Sequence, residues 1–322
     1  MNGKSGPFRS DQREGAVRQG GSGIMPEQTG ASHRRSTRRK RRRRRRLILA
    51  ALLLTGSGVL ILLSLRWYLA DWQDTEAMKR ANAAFAGKMQ TVEPQQQAGE
   101  PEADAAPREE RTLSAEDGSA AVLEKYRTLH EESPDFAGWI RVHCLYQIDF
   151  PVFLRDNSFY LTHDAQEETN EKGAAFLDEE STLVPRDDNL IVYAHNLASG
   201  EMFGSLFRMG DRKYLDRDPF VTFSTLYEED EYVPVAVLVT TVGQGAKDFH
   251  FMVKSFATEE SFQAFVAEAR ERSRVQLNVD CRWGDKLLTL VTCNDEARTE
   301  RLIVLLRRLR EGEDAAALAK NL

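Results

Sequence analysis

One stretch limits this chain more than any other. Residues Leu47–Leu65 form an uncharged, mostly apolar run of 19 residues. A helix needs roughly 20 apolar residues to cross the ~30 Å hydrocarbon core of a bilayer. The cluster Arg66, Trp67 and Tyr68 follows, and such residues are typical of a membrane interface. The sequence therefore predicts a transmembrane anchor over residues 47–70.

A dense basic run comes directly before this span. In Arg34–Arg46 only two residues are uncharged. Residues 1–46 carry a net charge of about +12, which leaves about −18 for the remainder. The positive-inside rule then predicts a single-pass protein of the cell membrane with a cytoplasmic N-terminus and an extracellular domain after Trp67. Because that domain is acidic, we expect no nucleic-acid partner, and anionic lipid is the expected partner of the arginine run.

The polar segments on either side of the span resemble disordered chain. Residues 1–46 are predicted to be a disordered basic cytoplasmic tail. Residues 71–118 have too little apolar surface to form a core, so we predict an extracellular spacer, although residues 77–89 could continue the helix. A cleaved signal peptide is the competing interpretation of the span, but its apolar core is normally ~7–15 residues long.

Residues 119–310 are long enough for one core. Val122, Tyr126 and Leu129 recur at helical spacing before Pro134, which predicts a leading helix. A second helix is predicted to begin after Thr258. Eight or nine short apolar runs with few helices between them predict a mainly β barrel or sandwich. Besides the run that ends at Cys293, these are 135–142, 147–153, Gly173–Leu177, Leu190–Ala194, Phe220–Phe223, Val233–Val242, Phe249–Val253 and Leu302–Leu306. Residues 311–322 are assigned to a C-terminal tail.

A thiol stands at the end of one of these runs. Lys286–Cys293 reads K-L-L-T-L-V-T-C, which predicts a buried strand that ends at Cys293. A free thiol with a pKa near ~8.5 is mostly protonated at neutral pH, so a reactive one needs a partner that stabilises the thiolate or takes its proton. His195 in I-V-Y-A-H-N and Arg301 at the head of R-L-I-V-L-L are the candidates, and Arg298 is a rival for the arginine.

The remaining polar candidates have simpler interpretations. Cys144 and Cys281 are expected to be small buried apolar side chains; a disulfide between them stays open. The other five histidines are expected to be structural or exposed. The Cys and His spacings match no zinc pattern, and we expect neither a metal nor a cofactor. The candidate groups for orienting the site are Asn196, Asp295 and Glu296.

The strand T-L-V-T-C, followed by an arginine that heads the next strand, resembles the catalytic signature of the sortases. The resemblance extends over residues 119–310 in the order of the class B pattern. It is carried by S-P-D-F-A-G-W-I, I-D-F-P-V, N-S-F-Y-L-T-H-D, G-A-A-F-L-D, I-V-Y-A-H-N-L with G-E-M-F-G-S-L, and Y-L-D-R-D-P-F. It implies a closed eight-stranded β-barrel with an N-terminal helix and a helix inserted between late strands.

The resemblance also implies a cysteine transpeptidase. Cys293 would attack a C-terminal sorting motif of secreted proteins, His195 would move protons, and Arg301 would hold the developing negative charge. The expected acceptor is an amine of a cell-wall precursor or a pilin lysine. Two alternatives remain: a cysteine protease, which would resolve the same thioester with water, and a non-catalytic, membrane-anchored binding module.

Overall fold

The apolar runs form eight strands that close into a barrel. The computed structural model describes residues 30–90, 120–243, 245, 248–293 and 299–322, without the side chains of residues 30–38, 90 and 293. The strands are β1 (Phe136–Val142), β2 (Asp149–Phe153), β3 (Ala175–Leu177), β4 (Asn189–His195), β5 (Val221–Thr225), β6 (Glu229–Thr241), β7 (Leu287–Cys293) and β8 (Glu300–Arg308). Their order around the barrel is β1-β2-β3-β4-β7-β8-β6-β5, and β5 closes onto β1. The prediction of a closed eight-stranded, mainly β barrel is confirmed.

Two parallel pairs interrupt an otherwise antiparallel barrel, namely β2 with β3 and β4 with β7. Strands β4 and β7 are covered on both faces, and Leu190, Ile191 and Val192 are all fully buried. Continuous apolar runs are typical of such doubly covered strands. Thr289 of β7 is buried as well, and its hydroxyl donates to Asn189 Oδ1 at 2.8 Å. The polar side chains of Thr289 and Asn189, which are buried in the β4–β7 pair, therefore both have a hydrogen-bond partner.

Five α-helices accompany the strands in the described residues: α1 (Gly30–Gln90), α2 (Glu124–Glu132), α3 (Arg212–Leu215), α4 (Glu259–Glu271) and α5 (Ala315–Asn321). Short 3-10 helices span Phe159–Leu161 and Leu206–Gly210. The leading helix and the late inserted helix are both confirmed. Helix α4 has a capping box between Thr258 and Ser261 and buries the stripe Phe262, Phe265, Val266 and Ala269.

The predicted strand over Phe249–Val253 is wrong. These residues form no ladder with a neighbouring strand, and two of their backbone groups bond to side chains instead. Phe249 N–H donates to Thr240 Oγ1 at 2.7 Å, and the Val253 carbonyl accepts from Asn189 Nδ2 at 2.8 Å. Phe249 and Phe251 are nevertheless buried at alternate positions. The period-two pattern therefore marks an extended covering segment rather than a member of the sheet.

The chain divides into two units, residues 1–67 and residues 68–322. Among the described residues, α1 is the one helix long and apolar enough to cross a membrane. Its most apolar 18-residue window has a mean hydropathy of 2.5, and none of it is buried. The boundary falls within this helix, and the apolar run predicted to span the membrane belongs to the first unit.

In the second unit, the end of α1 differs from the expected unpacked spacer. Met78, Ala81 and Phe85 are buried and belong to the apolar core of that unit. The Phe85 ring lies 5.5 Å from the Phe153 ring in an edge-to-face arrangement. The three residues recur with spacings of about one and two turns, which gives this short segment a single apolar face. The remainder of the expected spacer, residues 91–118, lies outside the described residues.

Candidate active site

His195 is the last residue of β4, and Cys293 is the last residue of β7. The parallel register pairs these two positions directly, one residue beyond the pair Ala194 and Thr292. Residues paired across neighbouring strands share a face of the sheet, since side chains alternate with period two. The Cys293 side chain itself lies outside the described atoms. The backbone positions predicted to carry the thiol and the imidazole are thus neighbours at the carboxyl ends of two parallel strands.

Arg301 is the second residue of β8, the next strand around the barrel. The β7–β8 ladder includes the pair Val291 and Ile303, and Leu302 N–H donates to Thr292 Oγ1 at 2.9 Å. Continuing that register by two residues sets position 301 across from position 293. Arg301 as a whole residue is half-buried, and its Nη1 donates to the Glu300 carbonyl at 3.2 Å. Three adjacent strands therefore bring together the three residues named from sequence.

The His195 ring is oriented by a backbone carbonyl. Its Nε2 lies 2.8 Å from the carbonyl oxygen of Leu161, at the end of the first 3-10 helix. A carbonyl only accepts, so Nε2 is the protonated nitrogen and donates this hydrogen bond. In the neutral ring, Nδ1 then carries the lone pair. The contact to Leu161 thus selects the tautomer in which Nδ1 is free to exchange a proton.

The backbone of Gly173 packs closely against the same ring. It has a φ of +62°, a left-handed conformation that side chains disfavour. A Cβ at this position would lie 2.3 Å from the Tyr160 carbonyl oxygen and 3.1 Å from His195 Cδ2. Only glycine fits here without displacing either the loop or the ring.

Sequence reasoning did not assign a role to Leu161 or to Gly173. Both lie within motifs that carry the resemblance, N-S-F-Y-L-T-H-D and the segment that begins G-A-A-F-L-D. Leu161 acts through its carbonyl and Gly173 through the lack of a side chain, so neither has a chemical signature in sequence. The one available signal was the presence of a glycine two residues before a short strand.

Of the candidate orienting groups named from sequence, Asn196 lies within the described residues. Asn196 follows His195 and forms an isolated backbone bridge with Met202. Arg298, Asp295 and Glu296 lie outside the described residues, so the choice between Arg298 and Arg301 remains a prediction.

Three further histidines have structural partners. His143 bonds to the Thr222 hydroxyl at 2.8 Å and to Asp218 at 3.2 Å. His163 stacks on Phe159 at 4.0 Å between ring centroids. His130 Nδ1 bonds to the Phe136 carbonyl at 3.2 Å.

The other two cysteines are free thiols in poorly reactive surroundings. Burial raises the pKa of Cys144 to about 11, and burial likewise raises the pKa of Cys281 to about 11. Both thiols are therefore almost entirely protonated at neutral pH. Among the described residues, no group of three or more His, Cys, Asp and Glu side chains is arranged to hold a metal ion.

A buried ion pair supports the strand that carries His195. The Tyr193 hydroxyl donates to Asp178 Oδ2 at 3.2 Å, and Lys254 Nζ donates to Asp178 Oδ1 at 2.8 Å. Burial acts to raise the pKa of the Asp178 carboxyl, but hydrogen bonds led by that of Lys254 hold it below its ordinary value. The carboxylate stays ionised at neutral pH and links the end of β3, strand β4 and Lys254, the residue that follows the covering segment.

This barrel and this arrangement of strand ends define a sortase-type cysteine enzyme. The sortase domain family matches residues 147–308. Sortase B of Listeria monocytogenes is 30% identical over 181 residues, which cover 56% of this chain and 71% of that protein. The chain belongs to the sortase family, and its relatives place it in class B.

Solved structures agree on the fold. Sortase B from Bacillus anthracis superposes with a TM-score of 0.58 at 23% identity, covering 72% of this chain and 95% of that one. A substrate complex of Staphylococcus aureus sortase B gives a TM-score of 0.54 at 23% identity, covering 59% and 86%. These structures show the barrel expected of the family, and the family match and the Listeria relative make the chain a sortase transpeptidase.

Proposed function

We propose that this enzyme cleaves a C-terminal sorting motif of secreted proteins through a thioester on Cys293 and passes the acyl group to an amine. The observation that carries the proposal is the direct pairing of His195 with Cys293 at the carboxyl ends of β4 and β7. A solved substrate complex of sortase B from Staphylococcus aureus, which has a similar fold, supports the presence of a substrate site on this barrel.

The first half-reaction forms the thioester. The Cys293 thiolate attacks the scissile carbonyl carbon, and the π electrons of that carbonyl move onto its oxygen. Collapse of the tetrahedral intermediate breaks the C–N bond, and the imidazolium of His195 protonates the leaving amine. The proton comes from Nδ1, because Nε2 is engaged by Leu161.

In the second half-reaction the incoming amine attacks the thioester and loses a proton to Nδ1 of His195. Cys293 leaves as thiolate, and a new amide is released. In both halves Arg301 faces the developing oxyanion, a task suited to a permanently charged planar donor. The acceptor is proposed to be an amine of a cell-wall precursor or a pilin lysine.

The location follows from the first unit. We assign residues 1–46 to the cytoplasm, residues 47–70 to the membrane and the catalytic domain, 119–310, to the outside of the cell. The basic run before the span supports this orientation. Residues 71–118 connect the two parts, and residues 311–322 form the C-terminal segment.

The test uses the full chain in detergent micelles with a peptide library and a set of amines, and products are read by mass spectrometry. The proposal expects amide products that grow with amine concentration at the expense of the free acid. Cys144→Ala should react as the wild type does, whereas Cys293→Ala should not react. Acid products that added amine does not divert would identify a cysteine protease. Unchanged function of Cys293→Ala in cells would indicate a binding module.

A further inference from the structure

The packed end of α1 contacts both loops that flank His195. We define the cradle loop as residues 160–173, which supplies the Leu161 carbonyl and Gly173. We define the return loop as residues 196–204, which directly follows His195. The helix reaches the cradle loop through Asp71 and Asp74, and the return loop through Lys79.

Asn170 is the main link to the cradle loop. It is 4% exposed, and all of its polar groups are used. Its Nδ2 donates to the Asp74 carbonyl of α1 at 2.9 Å, and its Oδ1 accepts from Lys172 N–H at 2.9 Å. Its own N–H donates to the Thr162 carbonyl at 2.9 Å, and its carbonyl accepts from Gly173 N–H at 3.0 Å. Through its side chain and its backbone together, Asn170 thus connects the helix to Lys172 and Thr162, the chain neighbours of the two residues that contact His195.

Ion pairs add to this link. Lys172, in the cradle loop, pairs with Asp71. In the return loop, Glu201 accepts from Lys79 Nζ at 2.9 Å. Although burial opposes it, this hydrogen bond helps to hold the pKa of Glu201 below its ordinary value, so the pair is charged at neutral pH. Phe203 N–H then donates to the His195 carbonyl at 2.9 Å. Contacts from the helix therefore lead to both sides of His195.

The polar contacts are not what holds the helix on the barrel. Met78, Ala81 and Phe85 bury its apolar face, and apolar burial supplies most of such docking. The polar contacts instead fix two irregular loops relative to a rigid helix. We propose that Asn170 and the Lys79–Glu201 pair are positioning residues, which hold the His195 imidazole in its Nε2-protonated orientation.

This inference rests on the proposed role of His195. A misplacement of about 1 Å in a catalytic group costs about 100-fold in rate. Loss of contacts that act only through His195 should therefore lower kcat more than it changes KM.

The experiment compares matched variants of the full chain in detergent micelles. Asn170→Asp keeps the size and the acceptor of this residue but loses the donor to the Asp74 carbonyl. We expect roughly a 10- to 100-fold loss of kcat, little change in KM and a shifted pH profile. Lys79→Glu should also lose activity, and Lys79→Glu combined with Glu201→Lys should recover it. Phe85→Leu weakens helix packing away from the loops and should lower Tm while kcat stays near the wild-type value.

A second readout does not depend on turnover. In protein labelled with ¹⁵N-histidine, the ring nitrogens of His195, assigned through His195→Gln, should show the Nε2-protonated tautomer. Asn170→Asp should mix the two tautomers. Wild-type ring shifts and a wild-type kcat in Asn170→Asp would overturn the inference. A loss of kcat in Phe85→Leu as large as that in Asn170→Asp would overturn it as well. Altered ring shifts in an enzyme that forms no Cys293 adduct would support positioning and reject the proposed chemistry.

Discussion

At the scale of single residues, environment separates the three cysteines. Burial raises the pKa of Cys144 and of Cys281 to about 11, which makes both poor nucleophiles. The backbone of Cys293, in contrast, pairs with His195, whose tautomer is selected by the Leu161 carbonyl. Position in the barrel therefore favours one thiol as the nucleophile.

Arg301 gives the sharpest test at this scale. If its planar donor fork stabilises the oxyanion, Arg301→Lys should lower kcat roughly 100-fold, because an ammonium does not reproduce the fork. Arg308→Lys is the matched control, since Arg308 lies on the same strand and pairs with Glu228 at 3.0 Å and with Asp230. Kinetics with peptide and amine should show wild-type kcat for the control. Full activity of Arg301→Lys, or a greater loss from Arg298→Ala, would move the role elsewhere.

The sequence named the residues proposed to act through side-chain chemistry and missed those that act through backbone conformation or a long-range contact. His195, Cys293 and Arg301 stand at strand ends in a pattern that a family resemblance can identify. Gly173 matters because of its φ and a close approach of 2.3 Å, and Asn170 matters because of a bond to a helix 96 residues earlier. Such long-range contacts are decided by tertiary packing, which no local pattern encodes.

At the scale of elements, the same contrast holds for helices and covering segments. Helix α4 was predictable because its cap at Thr258 and its apolar stripe are local signals. The packed end of α1 was not, because three apolar residues among many charges form a weak pattern. Phe249–Val253 has the alternation of a strand, but two of its backbone groups bond to side chains rather than to a neighbouring strand. Periodicity predicts burial here and leaves the hydrogen-bond partner open.

An ion pair between the end of β8 and the segment that follows it gives a prediction on stability. Arg307 is fully buried, and its guanidinium binds both carboxylate oxygens of Glu313 at 2.7 and 2.8 Å. Glu313→Gln leaves that charge without its partner and should lower the free energy of unfolding by about 3–5 kcal/mol. Urea denaturation should detect the loss, and Glu311→Gln, an exposed neighbour, should change little. A loss below about 1 kcal/mol would contradict this account of the pair.

The same pair predicts a pH dependence. The hydrogen bond from Arg307 lowers the pKa of Glu313 below its ordinary value near 4.5. The folded state thus binds this proton less readily than the unfolded state does. The pair's contribution is complete above pH 4.5 and is lost as pH falls through the lower, folded pKa. Below pH 4.5 the unfolding free energy of wild type should fall more steeply than that of Glu313→Gln, and equal slopes would contradict this linkage.

At the scale of the whole molecule, charge and hydropathy divide the chain. Residues 1–46 carry about +12 and the remainder about −18. A helix able to cross a membrane begins among the basic residues. This division was readable from sequence alone, since it depends on composition rather than on long-range contacts.

The proposed topology has a direct consequence. Protease added to intact, wall-stripped cells should digest the domain after Trp67 and leave the basic tail protected, because the arginine run holds that end in the cytoplasm. Immunoblots against tags at the two termini report both parts. Permeabilised cells, in which both tags should disappear, are the control. Protection of the C-terminal tag in intact cells would reverse the orientation.

The central claim is covalent acyl transfer through Cys293. The most direct measurement is the intact mass of the full chain after incubation with a sorting-motif peptide without amine. We predict an acyl adduct, which peptide mapping should locate on Cys293. The adduct should persist in Cys144→Ala and Cys281→Ala and should be discharged when amine is added. His195→Ala should keep the wild-type circular dichroism spectrum and form the adduct far more slowly. Absence of an adduct on Cys293 in wild-type enzyme that still converts the peptide would contradict the account.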